Sequence, residues 1–342
     1  MPTSDAPQTD LPPWAEGDYP GTIGDTQWSG LPRRVDAGIV AFCSAGLIPT
    51  GPSEAEQMNE FLARMAEWVN FGRSSAGSGI YGDASDGDVT LGAGTTTLTR
   101  DMYYDDLTVP NGATLAAAGF RIFVAGLLTV GATGVISNDG QSASGATQGL
   151  GTTAGTTGAG FQGGAGRVSS AGVGNAGTGA TTALGEAGGT GGAGGANAGG
   201  AGGTATDPTA GNGGWRHIAA ALGRTADGTL WSGGTGGGGG GSDNGAANSG
   251  GGGGGGGVLI IFARRVSNAG TIRANGGSGG NSDAGVNLGG GAGGGGGAVF
   301  VVHREAVGGT LGTVTANGGA GGTGTTANGA AGSAGQVITS IG

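Results

Sequence analysis

Glycine tracts, interrupted only by single alanines or threonines, most restrict what this chain can fold into. The longest are about seven to nine residues each, and they lie at residues 233–241, 250–257, 289–297 and 318–324. The stretch 188–196 repeats every three residues, which is the period of a polyproline II helix. Glycine on two sides of such a helix lets neighbouring backbones come close enough for N–H and Cα–H groups to meet carbonyls.

Glycine-rich sequence is also typical of flexible linkers, so order has to be argued separately. Two observations favour it, because the tracts have matched lengths and the apolar run 258–262 follows one of them directly. Ordering glycine costs about 1 kcal/mol or more per residue, so an ordered bundle needs hydrogen bonds along nearly its whole length. We therefore predict a polyglycine II bundle within residues 141–342.

The remaining composition leaves little material for a conventional core. The 342 residues include 92 glycines but only 10 prolines, which excludes the collagen triple helix. Aromatic residues make up 5% of the chain and charged residues 11%. Most of the ordered structure must therefore come from backbone packing.

Charge and cysteine content exclude several classes of function. The 13 basic residues are all arginine, and the absence of lysine excludes a Walker phosphate loop and Schiff-base chemistry. A net charge of −10 argues against nucleic acid or an anionic membrane as a partner. The single Cys43 excludes an intramolecular disulfide. We expect no secretion signal at the start of the chain and no membrane insertion.

Patterns that would indicate catalysis are weak. His217 and His303 lie far apart, with no triad or zinc-site motif around them. The acidic groups within 83–88 and 101–106 invite a calcium site or a glycosidase pair, but their spacing is not that of an EF-hand and aspartates are common in turns. We expect no enzyme activity, no metal site and no cofactor.

Changes in composition predict three segments, which are 1–73, 74–140 and 141–342. In the first, a capping box at Ser53 and a stop at Gly72 predict an amphipathic helix over about 53–71. Its apolar face, which includes Met58, Phe61, Met65 and Trp68, forms either a small local core or a docking or oligomerisation face. Trp14 and Trp28 lie upstream in an irregular arm rich in proline and glycine, which we expect to wrap a neighbouring protein.

Short β-rich runs separated by turns fill the second segment, in the pattern of a β-solenoid or a compact β-sandwich. The runs are 89–91, 95–99, 107–109, 113–115, 121–124, 127–130 and 135–137. A repeat continues into the third segment, because 134–140 recurs as 270–277 and as 312–319, each time after an apolar run. We predict a mainly β fold of stacked layers, from which the glycine tracts depart and return.

Polar inserts between the tracts are expected to form loops at the tract ends, where binding is normally placed. The side chains there that can stack on or hydrogen-bond to a sugar or protein receptor are Asp207, Trp215, Trp231, Asp243, Asn244, Asn248, Asn281 and Asp283. The same tryptophans can instead serve local packing, and the Asn and Asp residues can instead shape turns.

Three stretches, 81–89, 95–109 and 119–130, resemble a module of glycine-rich tail fibre and virion proteins of tailed bacteriophages. The tracts that follow are similar to the polyglycine sandwich of phage tail-tip adhesins, in which stacked polyglycine II helices present receptor-binding loops. The pattern from Pro49 to Trp68 resembles the virion-attachment helices of tail fibres.

The resemblance implies a receptor-binding or fibre protein of a phage virion, assembled in the host cytoplasm. Its N-terminal segment would bind other virion proteins, its loops would bind a host glycan or outer-surface protein, and a homo-oligomer such as a trimer is compatible with it. Two other classes stay open. One is a purely structural virion protein, such as a capsid fibre or decoration protein. The other is an ice-binding protein, because Thr190, Ala193 and Ala196 resemble the flat face of glycine-rich antifreeze proteins.

Overall fold

Short β-branched runs assemble into eleven strands in the computed structural model, which describes residues 79–180, 183–205, 230–243, 245 and 247–341. The described residues lie in a unit that begins at Gly77. They are mainly β and contain no helix, as predicted for this part of the chain. The predicted helix at 53–71 and the six attachment residues lie outside the described residues; those six are Trp14, Trp28, Met58, Phe61, Met65 and Trp68.

The chain alternates strictly between two parallel sheets. Sheet 1 has the order β1-β3-β5-β7-β9-β11, and sheet 2 has the order β10-β8-β6-β4-β2. The strands are β1 (Gly87–Thr90), β2 (Gly94–Thr97), β3 (Met102–Val109), β4 (Ala113–Ala116), β5 (Ile122–Val130), β6 (Val135–Ser137), β7 (Val258–Asn268), β8 (Thr271–Arg273), β9 (Ala298–Ala306), β10 (Thr313–Thr315) and β11 (Gln336–Ile341).

The three copies of the sequence repeat take equivalent positions in the two sheets. In sheet 2, Val135 pairs with Thr271, which in turn pairs with Thr313. In sheet 1, Leu259 of β7 pairs with Val299 of β9. Each copy thus supplies one strand to each sheet at the same level, which confirms the predicted repeat.

Apolar side chains between the two sheets form the main core. Leu107 and Ile122 of sheet 1 belong to the same cluster as Leu115, Ile136 and Ile272 of sheet 2, and all five are fully buried. Alternate residues of β4 are buried, as the two-residue period of a strand requires. Burial of each such side chain contributes about 1.5–3 kcal/mol of stabilisation.

Strand β5 differs from the prediction, because the runs 121–124 and 127–130 form one strand rather than two. Its register slips by one residue against both neighbouring strands, so β5 carries one extra residue at a bulge. Gly126 lies at this bulge. Oδ1 of Asp106, on β3, occupies the space that a Cβ of Gly126 would take, and it accepts a hydrogen bond from the N–H of Leu127 at 2.6 Å. The two predicted runs are therefore one continuous strand, β5, that contains a bulge.

Glycine tracts occur only in connections that run from sheet 2 to sheet 1. Two early connections of this kind, 98–101 and 117–121, are short, whereas 138–257, 274–297 and 316–335 contain the tracts. Connections in the other direction are at most six residues long. Because all strands are parallel, every glycine-rich excursion departs from and returns to the same side of the two sheets.

Backbone hydrogen bonds join the tracts in a repeating order. Within 250–257, the N–H groups of residues 250, 253 and 256 donate to the tract 289–297. Those of 251, 254 and 257 donate to residues 138–145, and those of 252 and 255 donate to residues 158–164. Residues 234–242 and 289–297 show the same rotation among three neighbours of their own. Successive donors thus point in three directions, and each neighbour is reached again after three residues.

Neighbouring tracts are too close for side chains between them. A Cβ placed on Gly253 would lie nearer than 3.0 Å to the carbonyl oxygen of Gly277, closer than real Cβ atoms come. The hydroxyl group of Thr235, in the tract 233–241, forms hydrogen bonds with the backbone of neighbouring segments. The fully buried Thr235 donates to the carbonyl of Gly203 and accepts from the N–H of Gly188 at 2.9 Å.

A second apolar cluster covers the outer face of sheet 1, the face turned away from sheet 2. Ile260, Phe262 and Phe300 of the sheet pack there with Leu184 and Trp231 from the excursion 138–257. Trp231 is only 1% exposed. These two side chains anchor the excursion against the sheet.

We expect Gly253→Val to lower the free energy of unfolding by at least about 3 kcal/mol, because the new side chain meets backbone on a neighbouring tract. The matched control is Thr190→Val, at an exposed position in another tract, where we expect a change within about 0.5 kcal/mol. Chemical denaturation of both variants measures the difference. Equal stability of the two variants would contradict the close packing of the tracts.

Candidate functional site

Six turns gather at the end of the glycine tracts that lies away from the sheets. Residues 250–257 and 289–297 continue directly into β7 and β9, so the first residues of these tracts lie at the remote end. We call the turns at that end the distal turn surface, which consists of 144–147, 167–172, 194–197, 242–249 and 281–288 together with 323–327; within it, 244 and 246 lie outside the described residues.

Backbone contacts hold these turns side by side. Ser242 forms one bridge with Gly172 and another with Leu288, which joins three of the turns. The N–H of Ser249 donates to the carbonyl of Arg167 at 3.0 Å. The turns therefore form one continuous surface rather than six separate loops.

Asp243 ties its turn to the turn 194–197. Its carboxylate accepts hydrogen bonds from the N–H of Ala196 at 2.5 Å, from the N–H of Asn197 at 3.1 Å and from the side-chain amide of Asn197. The same amide donates to the carbonyl of Ser242 at 2.9 Å. One partly exposed carboxylate thus fixes the conformation of a neighbouring turn.

Asn248, Asp283 and Asn281 make equivalent links on the other side. Oδ1 of Asn248 accepts from the N–H of Ser169 at 3.0 Å, and the N–H of Asn248 donates to the carboxylate of Asp283 at 3.1 Å. Oδ1 of Asn281 accepts from the N–H of Thr323 at 2.8 Å. Four of the residues predicted to bind a receptor therefore meet on one surface, where their oxygens also hold the turns in place.

The most exposed apolar side chains of this surface escaped the sequence analysis. Val168 is 64% exposed and Val286 is 70% exposed. A single valine within a polar turn belongs to no periodic pattern, so the sequence gives no signal for it. The surface thus combines projecting apolar groups with the polar side chains of Asp283 and Asn287, which are also exposed.

The other predicted receptor-binding residues lie elsewhere. Asp207, Trp215 and Asn244 fall outside the described residues. Trp231 packs in the core cluster on sheet 1, and its buried indole N–H has no hydrogen-bond partner among the residues that the structure describes. Its side chain serves packing here, so we do not include it in the distal turn surface.

Comparison of the chain with protein-family models, with curated proteins and with solved structures gave no match. Any functional assignment therefore rests on the residues and their geometry.

Aspartates next to the strand ends join neighbouring levels of the fold. Arg121 contacts Asp101 at 2.7 Å, and Arg273 contacts Asp139 at 2.7 Å. Asp86 accepts hydrogen bonds from Arg100, which hold the pKa of Asp86 below its ordinary value despite some desolvation. Asp86 and Asp101, which belong to the acidic groups that invited a calcium or glycosidase interpretation, thus make structural contacts between neighbouring levels.

His303 is buried on β9, and burial lowers the pKa of its imidazole below the usual value. Its Nδ1 has no hydrogen-bond partner within the described part of the chain. In the described part of the chain, His, Cys, Asp and Glu side chains form no cluster of three that suits a metal ion. The same residues include no helix with the length and apolar character that a membrane span requires.

Proposed function

We propose that the glycine tracts are polyglycine II helices and that the eleven strands form a two-sheet β-solenoid beside them. The three-way rotation of backbone donors supports the first part, because a polyproline II helix has three residues per turn. The strict alternation of strands between parallel sheets supports the second. In this arrangement, each glycine-rich connection between strands folds into two or more polyglycine II helices.

We further propose that the protein is a receptor-binding or fibre protein of a bacteriophage virion, with a binding rather than a catalytic role. The observation that carries this proposal is the distal turn surface at one end of a close-packed glycine scaffold. Tract positions such as Gly253 exclude side chains, whereas turn positions such as Gly145 and Gly245 have open space where a side chain would lie. A rigid support with variable turns is the arrangement expected of a recognition surface.

The chemistry of the distal turn surface suits a host glycan or an outer-surface protein. Val168 and Val286 offer apolar contact area, and Asp283 and Asn287 beside them offer hydrogen-bonding groups. Apolar contacts with a few polar groups that fix orientation are typical of ligand sites. The links made by Asp243 and Asn248 hold the turns in one arrangement before the receptor arrives, which lowers the entropic cost of binding.

Attachment to the particle is assigned, as part of the same proposal, to residues 1–73. Its basis is the amphipathic pattern of Met58, Phe61, Met65 and Trp68 in the sequence. A purely structural virion protein would share the scaffold and the attachment segment, but it would not depend on the distal turn surface for adsorption.

We expect the double substitution Val168→Ser with Val286→Ser to weaken adsorption of particles to host cells by at least about tenfold, because both apolar contacts are lost. The matched control is Val307→Ser, an exposed valine in the connection between β9 and β10. We expect unchanged adsorption for the control and unchanged thermal stability for both. Normal adsorption by the double variant would favour a purely structural role.

We expect a chain that begins at Ser74 to fold but to be absent from particles, because it lacks the proposed attachment segment. Circular dichroism of the purified chain checks folding, and protein analysis of purified particles checks incorporation. Incorporation at the level of the full chain would place attachment elsewhere.

A further inference from the structure

Strand β11, at one edge of sheet 1, has no neighbouring strand on its outer side among the described residues. On its inner side it pairs in parallel with β9. The N–H of Gln336 donates to the carbonyl of Gly297 at 3.0 Å, so every second residue from Gln336 directs its backbone groups toward β9. The intervening residues, Val337, Thr339 and Ile341, therefore direct their N–H and C=O groups to the open edge.

The side chains of the same three residues are also uncovered. Val337 and Thr339 pair with Val299 and Val301 of β9, which belong to the core between the two sheets. The side chains of Val337 and Thr339 thus point to the side on which sheet 2 lies, but sheet 2 has five described strands against six in sheet 1 and ends at β10. Val337 is accordingly 42% exposed and Ile341 is 77% exposed.

This edge lacks the features that usually prevent edge strands from pairing, which include charges and prolines. Residues 306–342 contain no charged residue and no proline, although the chain has a net charge of −10. By contrast β1, at the opposite edge of sheet 1, contains Asp88 and follows Asp86. Two copies of the chain therefore repel each other less where two β11 edges meet than where a β1 edge takes part.

The sequence of the β11 edge complements itself. In an antiparallel pair related by a twofold axis through Thr339, Val337 lies opposite Ile341 of the second copy, and the two Thr339 residues lie opposite each other. Residues opposed in this way exchange both of their N–H···O=C bonds. Valine and isoleucine cover each other's apolar surface, and a Thr–Thr pair stabilises antiparallel neighbours.

We propose that two copies of this chain form a dimer through β11, so that sheet 1 continues from one copy into the other. Twofold symmetry is the commonest arrangement of homo-oligomers, and it uses the same surface in both copies. Six residues per copy bury less than the roughly 800 Å² per partner of a standard interface. We therefore expect a weak dimer, with a Kd on the order of 10 µM.

Sedimentation velocity of the full chain at concentrations from about 1 to 100 µM tests the proposal, because a dimer of this Kd forms within that range. In Thr339→Pro, we expect the Kd to rise by at least about tenfold, since proline removes the central N–H at the open edge. The N–H groups that point to β9 remain, and edge strands tolerate proline at such a position. Thr339→Val is the matched control, because it keeps the N–H and the branched shape, and we expect its Kd to stay within about threefold of the unaltered chain.

A second pair of variants keeps the test valid if Thr339→Pro is poorly folded, which circular dichroism checks. Val337→Asp places an unpaired carboxylate in the contact, and we expect a rise in Kd of at least about tenfold. Val307→Asp adds the same charge at a valine that is also 42% exposed but lies outside β11, and we expect it to dimerise like the unaltered chain.

A monomer throughout the concentration range would overturn the proposal, as would a dimer that persists in both Thr339→Pro and Val337→Asp. Equal weakening by Val307→Asp would attribute the effect to overall charge and overturn the role of β11. Trimers or open-ended chains would overturn the twofold arrangement. None of these results bears on the distal turn surface, so this proposal and the proposed receptor-binding role fail independently.

Discussion

Direct hydrogen bonds between glycine backbones are the interaction on which the rest of this structure depends. Each N–H of the tract 250–257 reaches a carbonyl on one of three neighbours, and a side chain at Gly253 would separate those neighbours. The bonds offset the entropic cost of ordering so much glycine. They also explain the composition, because a bundle held by backbone contact needs glycine where other proteins need large apolar residues.

The two sheets fix the positions at which the glycine-rich connections begin and end. Tracts continue directly into the buried strands β7 and β9, and Leu184 and Trp231 fasten the longest excursion to the outer face of sheet 1. Since all excursions lie on one side of the sheets, their turns meet at one remote end. The proposed receptor surface thus lies at the end of the glycine bundle that is remote from the strands.

The sequence predicted much of this arrangement, but not the parts that depend on register. Short β-branched runs and the repeat at 134–140 indicated the strands, because those patterns are local. The joining of two predicted strands through Gly126 depends on Asp106 of a neighbouring strand, which no local pattern reveals. The burial of Trp231 has the same origin, since folding packs it against Phe262 and Phe300 of strands that are distant in sequence.

Amide hydrogen exchange across residues 250–257 tests the central claim most directly, because every N–H in this tract donates to a carbonyl of a neighbouring segment. We expect these amides to exchange as slowly as those of β7 and β9, since all of them open only when the whole unit unfolds. Rapid exchange of the tract beside protected strands would contradict the account, because it would show that the glycine backbones are not held by one another.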